Sequence, residues 1–342
     1  MRGMSTSSSP APPGASRPLV FCSWTFPEEG ISLLREAAEV RVWPGSAAAP
    51  RGALLDALRA GAAAVLAVPP TDRLDAEAMD AAPNLKVISG FGVGYDYVDV
   101  PEATRRGILV CNTPGTLTET TADQTWALLL AAARNIAQSD RYVRSGAWQG
   151  YNPGLLLGAE VHGATLGIVG LGAIGSAVAR RATGFGMRIL YTGRSRKPEV
   201  EASIGVEFRA LDDLLRESDF VTINCALTPE TRNLIGEREL GLMKPSAVLV
   251  NTARGAVVNQ RALADALQHG QIAAAGLDVY EQEPIAPDDP LLRCENATLV
   301  PHLGSATHAT RARMARVAAE NIVAGLQGRR PPFLVNPEAW KS

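Results

Sequence analysis

GIVGLGAIGSAVARR, residues 167–181, joins an apolar run to a helix-prone stretch through three glycines, Gly170, Gly172 and Gly175, spaced G-x-G-x-x-G. The order strand, glycine turn, helix is the context in which this spacing binds a dinucleotide. Gly170 permits the tight turn, Gly172 lets backbone approach a pyrophosphate, and Gly175 lets helix pack on strand. The N–H groups near Ala173 and Ile174 then face an anion at the positive end of the helix.

The same rhythm extends in both directions from this turn. Downstream, MRILYTG, DFVTINC, AVLVN, IAAAGLDV and ATLVPH read as strands with helical segments between most of them, a complete doubly wound unit. Upstream, from residue 18, PLVFCS, AAVLAV, LKVISGF and ILVCN alternate with helix-length segments such as EEGISLLREAA and TDRLDAEAMDAA, which implies a second parallel sheet. The stretch TETTADQTWALLLAAARNIAQ is apolar nearly all round in its middle and reads as a buried helix. THATRARMARVAAENIVAGLQG reads as an amphipathic helix stopped by Gly328. A chain of 342 residues is long enough for two cores, so the expected class is α/β with two doubly wound parallel-sheet domains.

The second strand after the glycine turn ends in YTGRSRK, residues 191–197. NAD-binding units place a carboxylate about here to hold the adenosine ribose hydroxyls. Arg194 instead suits a ribose 2′-phosphate through charge-assisted bonds, helped by Ser195 and Arg196. The expected cofactor is NADP(H), with NADH weaker.

Bulk properties exclude several classes. With 33 basic and 35 acidic residues the formal charge is −2, so no global field would hold nucleic acid or an anionic membrane. Cys22, Cys111, Cys225 and Cys294 lie far apart without metal-ligand spacing, which reads as a reduced cytoplasmic chain with no metal site. Residues 1–17, rich in Ser, Pro and Ala, read as a flexible leader without the apolar core of a signal peptide. No membrane span is expected.

Of four histidines, His302 follows the β-run ATLVP at a strand's carboxyl end, where open α/β sheets place ligands. His269 reads as a helix C-terminal residue beside its glycine stop, and His162 and His308 read as structural. Arg254 in NTARG and Asp278 and Glu283 in LDVYEQEP follow two other strands. A carboxylate beside a histidine fixes its tautomer, and an arginine can dock a substrate carboxylate with two parallel bonds.

VGYDYVDV, CNTPG, TADQTWALLLAAAR, VGLGAIG, YTGR, LTPETRNLIG, VNTARGAVVNQRALADAL, AAAGLDVYEQEP and PHLGSATHATR together resemble the D-2-hydroxyacid dehydrogenase family over about residues 18–336, most closely its NADPH-linked glyoxylate/hydroxypyruvate reductases. The resemblance implies a Rossmann nucleotide domain, 113–304, inserted in a flavodoxin-like substrate domain of 18–112 plus 305–336, and a homodimer. It implies reduction of small 2-oxo acids, with catalytic roles for His302, Glu283 and Arg254. By the same resemblance the N–H groups of Val93 and Gly94 bind substrate carboxylate, Asp278 holds the nicotinamide carboxamide, and Thr121 contacts the pyrophosphate. GAWQGYNP resembles a dimer arm from which Trp148 or Tyr151 reaches a neighbouring active site. Glutamate at position 283 argues against formate dehydrogenases, which pair their histidine with glutamine. Other 2-oxo acids such as 2-ketogluconate or phenylpyruvate, and a dinucleotide-sensing binding protein, are the alternative readings.

Overall fold

A computed structural model describes residues 17–341. The leader expected over 1–17 lies, but for Arg17, outside the described residues. The chain divides into two compact units, one running to Thr113 and resuming at Ala312, the other spanning Pro114–Arg311.

The first unit carries five parallel strands, β1 (Leu19–Cys22), β2 (Glu39–Val42), β3 (Ala64–Ala67), β4 (Val87–Gly90) and β5 (Leu109–Cys111), in the order β2-β1-β3-β4-β5. This is the flavodoxin-like order. Strand pleating sends alternate side chains to opposite faces. Phe21, Val65, Ile88 and Val110 enter one core with Leu54 and Leu58 of the helix Arg51–Arg59. Val20, Cys22, Leu66, Val87 and Leu109 enter the other with Ile31 and Leu34 of Glu28–Ala37 and with Ala318 and Ile322 of the last helix, His308–Leu326. The last helix approaches closely: a Cβ on Gly325 would come within 2.6 Å of Val87 Cγ2.

Edge strand β5 is covered by the chain's final segment. The buried Asn336 side chain accepts from the Val110 N–H at 2.8 Å and donates to the Ile108 carbonyl and Thr104 hydroxyl, both at 2.9 Å, while the Val335 N–H reaches the Val110 carbonyl. The covered edge is no longer open to pairing with another chain.

The second unit carries seven parallel strands: β6 (Thr165–Val169), β7 (Arg188–Thr192), β8 (Glu207–Phe208), β9 (Phe220–Ile223), β10 (Val248–Asn251), β11 (Ala274–Leu277) and β12 (Ala297–Leu299). Their order, β12-β11-β10-β9-β6-β7-β8, is the Rossmann order with one strand added. Leu166, Ile168, Phe220 and Val250 face a core with the helices Thr118–Ala133 and Ala173–Ala182; Val169, Val221, Ile223 and Leu249 face another with Leu214, Leu240 and Leu263. Each large side chain so buried contributes roughly 1.5–3 kcal/mol.

The ten strands read from sequence are present. Strands β2 and β8 join them at sheet edges, where short, charged segments give little apolar signal. The helix expected from Thr118 through Gln138 is broken. Asn135 takes a left-handed φ of 52° and a second helix, Ile136–Arg144, follows with no buried residue. Asparagine tolerates that conformation, and its amide donates to the Leu157 carbonyl at 3.1 Å. No described helix is long and apolar enough to cross a membrane.

Candidate active site

In the second unit the sequence-predicted residues leave the carboxyl ends of neighbouring strands. His302 follows β12, Asp278 and Glu283 follow β11, Arg254 follows β10, the glycine turn follows β6, and Arg194 follows β7. They therefore share one sheet edge, the edge at which such sheets bind ligands.

The glycine turn has the geometry its spacing predicts. Gly170 has φ of 100°, and a Cβ there would lie 2.6 Å from the Cys225 nitrogen. A Cβ on Gly175 would lie 2.2 Å from the Gly170 carbonyl oxygen, so glycine is what allows the helix to start against the turn. At Gly172 a Cβ would face open space, and the helix Ala173–Ala182 has no side-chain cap. Uncapped N–H groups at Ala173 and Ile174, with room in front of them, fit a dinucleotide pyrophosphate.

His302 Nδ1 lies 2.7 Å from Glu283 Oε2, and the second carboxylate oxygen accepts the Tyr280 N–H at 3.1 Å. With Glu283 ionised, Nδ1 carries the proton and Nε2 is left to exchange one with a substrate. The His302 backbone is left-handed, with φ of 53°. Asp278 pins it there: its carbonyl accepts the His302 N–H at 2.9 Å and its carboxylate accepts the N–H groups of Leu303, 2.5 Å, and Gly304, 2.8 Å. Burial raises the Asp278 carboxyl above its usual range against those bonds and the neighbouring histidine.

Arg254 extends from a turn braced by Asn251, whose side chain accepts the Ala253 N–H and donates to the Arg254 carbonyl at 2.9 Å. Gly255 brings that turn against the end of β11, where a Cβ would sit 1.9 Å from the Tyr280 carbonyl carbon. Thr121, buried on Thr118–Ala133, donates to the Gly304 carbonyl at 3.1 Å, so a pyrophosphate contact through this hydroxyl requires it to leave that carbonyl.

Val93 and Gly94 belong to the first unit, just past β4, where the Val93 carbonyl accepts from Asn112 Nδ2 at 2.8 Å. His269 ends the helix Gln260–Gln268, and His162 and His308 are exposed. All four cysteines are free. Burial pushes Cys22 and Cys111 up to about 12 and Cys225 to about 11, which leaves them protonated and unreactive at neutral pH. Among the described residues no group of three or more His, Cys, Asp or Glu side chains is placed to hold a metal.

Residues 126–304 match the family model described as D-isomer specific 2-hydroxyacid dehydrogenase, NAD binding domain. The glyoxylate reductase of Korarchaeum cryptofilum is 52% identical over 326 residues, which is 95% of this chain and 98% of that protein. The chain belongs to the D-isomer specific 2-hydroxyacid dehydrogenase family. Among solved structures, the TT0316 protein of Thermus thermophilus is 46% identical with a TM-score of 0.86, covering 93% of this chain and 99% of that one. The NADPH-dependent glyoxylate/hydroxypyruvate reductase of Sinorhizobium meliloti, solved with NADP and malonate, is 32% identical with a TM-score of 0.84, covering 96% and 99%.

In this dehydrogenase chain the supports around the site escaped the sequence reading. Tyr280 fixes Glu283 through its N–H and ties its hydroxyl to the Val300 carbonyl at 3.0 Å. Asn251 and Gly255 shape the turn around Arg254. The signal for both supports is proximity: each residue stands within three positions of a predicted site residue.

Proposed function

We propose that this chain is an NADPH-preferring reductase of small 2-oxo acids, converting glyoxylate to glycolate and hydroxypyruvate to D-glycerate. The observation that carries the reading is the His302–Glu283 contact at 2.7 Å, on the same sheet edge as Arg254 and the open glycine cradle. Relatives whose names specify glyoxylate reductase support the substrate, and the absence of a carboxylate from YTGRSRK supports NADPH.

When bound, the reduced nicotinamide supplies a hydride. Arg254 docks the substrate carboxylate and polarises the carbonyl oxygen, with the Val93 and Gly94 amides assigned to the same carboxylate on the resemblance alone. His302 delivers the Nε2 proton to that oxygen while Glu283 stabilises the imidazolium. Ala173, Ile174 and Gly172 cradle the pyrophosphate, and Arg194, with Ser195, meets the 2′-phosphate.

The domain limits follow the same resemblance, with 113–304 as the nucleotide domain. A cytoplasmic homodimer completes the reading. The solvent exposure of Trp148, 56%, Tyr151, 92%, and Leu157, 74%, supports self-association.

A panel of 2-oxo acids assayed with NADPH and NADH tests the proposal. Turnover of glyoxylate and hydroxypyruvate with kcat/KM favouring NADPH is expected. Tight cofactor binding without turnover on any panel member overturns the enzyme reading in favour of a sensor.

A further inference from the structure

The two arginines of YTGRSRK are not equivalent. Arg194 is exposed and makes no hydrogen bond or ion pair among the described residues; the nearby Glu230 carboxyl is held low mainly by the Thr228 hydroxyl and only in small part by Arg194. Arg196 is already engaged. Its Nε and Nη2 donate to the Glu201 carboxylate at 3.1 and 2.5 Å, and its guanidinium stands over the Phe208 ring, 6.0 Å from the centroid.

Glu201 is itself fixed. Tyr191, whose ring is buried in β7, donates its hydroxyl to Glu201 Oε1 at 2.5 Å and accepts the Lys197 N–H at 2.7 Å. The Tyr191 ring meets Phe208 edge-on at 5.4 Å. Arg196 and then the tyrosine hydroxyl hold the Glu201 carboxyl down at about 2, so it stays charged throughout the physiological range. A permanent anion anchored to the sheet thus faces the loop proposed to receive a phosphate.

The geometry points to Glu201 as a specificity-tuning residue that engages Arg196 and competes with the cofactor's 2′-phosphate for it, leaving Arg194 as the principal phosphate cation. This inference rests on the NADPH reading. Its consequence is a moderate grip. A carboxylate sharing a guanidinium with a phosphate weakens phosphate binding through direct competition and through like-charge repulsion. NADH carries no 2′-phosphate and is blind to both effects.

The test is Glu201→Gln, which keeps an acceptor for Tyr191 and removes the charge. KM for NADPH should fall about two- to fivefold, as expected for one solvent-screened ion pair, with KM for NADH and kcat unchanged, and the NADPH dependence on salt should steepen. Arg196→Gln alone should change KM for NADPH by less than about twofold, yet placed on Glu201→Gln it should erase the gain. A rise in KM for NADPH in Glu201→Gln shows that the carboxylate orients Arg196 toward the phosphate and overturns the proposal. Equal effects on both cofactors, or none, also overturn it, since a structural prop has no reason to distinguish them. Arg194→Asp reports separately on the underlying reading. Loss of NADPH preference there with no response to Glu201→Gln sinks this proposal alone, whereas indifference to both changes sinks the NADPH reading with it.

Discussion

His302 is held at a φ of 53°, a conformation that costs a non-glycine residue roughly 1–2 kcal/mol. Three hydrogen bonds to Asp278 impose it, and they aim the imidazole at Glu283. His302→Ala removes the proposed proton donor and should lower kcat by two to four orders of magnitude, roughly the worth of general acid catalysis, with NADPH affinity nearly unchanged in a fluorescence titration; near-normal turnover refutes the assignment. Arg194→Asp places a carboxylate where the phosphate is expected, and the ratio of kcat/KM for NADPH over NADH should drop by at least about tenfold; an unchanged ratio shows the loop is idle. The strand-end placement of both residues was legible in the sequence, because each follows an apolar run beside a glycine. The Glu201 network was not, because it arises only when β7, the cationic loop and the following helix are brought together.

Elements are positioned by close approach and by edge repair. The helix Ala173–Ala182 starts against the Gly170 carbonyl, and any side chain at 175 must push it away. Gly175→Ala should therefore weaken dinucleotide binding at least about tenfold by calorimetry while leaving far-UV circular dichroism intact. In the first unit, Asn336 repairs the β5 edge with two hydrogen bonds, to Val110 and Ile108, and makes a third to the Thr104 hydroxyl. Asn336→Ala leaves buried groups on Ile108 and Val110 unpaired and should cost about 1–3 kcal/mol of stability in urea unfolding. Alternating apolar runs made ten of twelve strands readable. The break at Asn135 was not, because helix propensity runs through it and only the tether to Leu157 reveals the stop. The attachment of the last helix to the first sheet came from resemblance, since an amphipathic stripe does not name its partner.

For the molecule as a whole, a buried acid makes stability depend on pH. Asp72 accepts the Val68 N–H at 2.7 Å and the Ser23 hydroxyl, and its other oxygen has no partner among the described residues. Burial pushes its carboxyl up to about 6 against those bonds. Between the unfolded value of 3.8 and about 6, the folded chain keeps a proton that the unfolded chain has released. This contribution is complete below 3.8 and is lost as pH rises through about 6, by up to roughly 3 kcal/mol. Glu102, held at about 2 by Arg105 and Arg106, acts in the opposite sense at lower pH, and solvent screening keeps it small. Asp72→Asn should flatten the decline in urea midpoint between about pH 4 and 7; an unchanged slope rejects Asp72 as its source.

The interrupted first unit also dictates an order of events during synthesis. Its five strands leave the ribosome before Pro114, but Ala318 and Ile322, which seal one sheet face, and the asparagine that closes its edge emerge only after Arg311. The nucleotide unit, continuous in sequence, is free to fold while the ribosome is still working. The earlier strands must wait half-covered for the last stretch of chain, and any stall in translation prolongs that vulnerable interval.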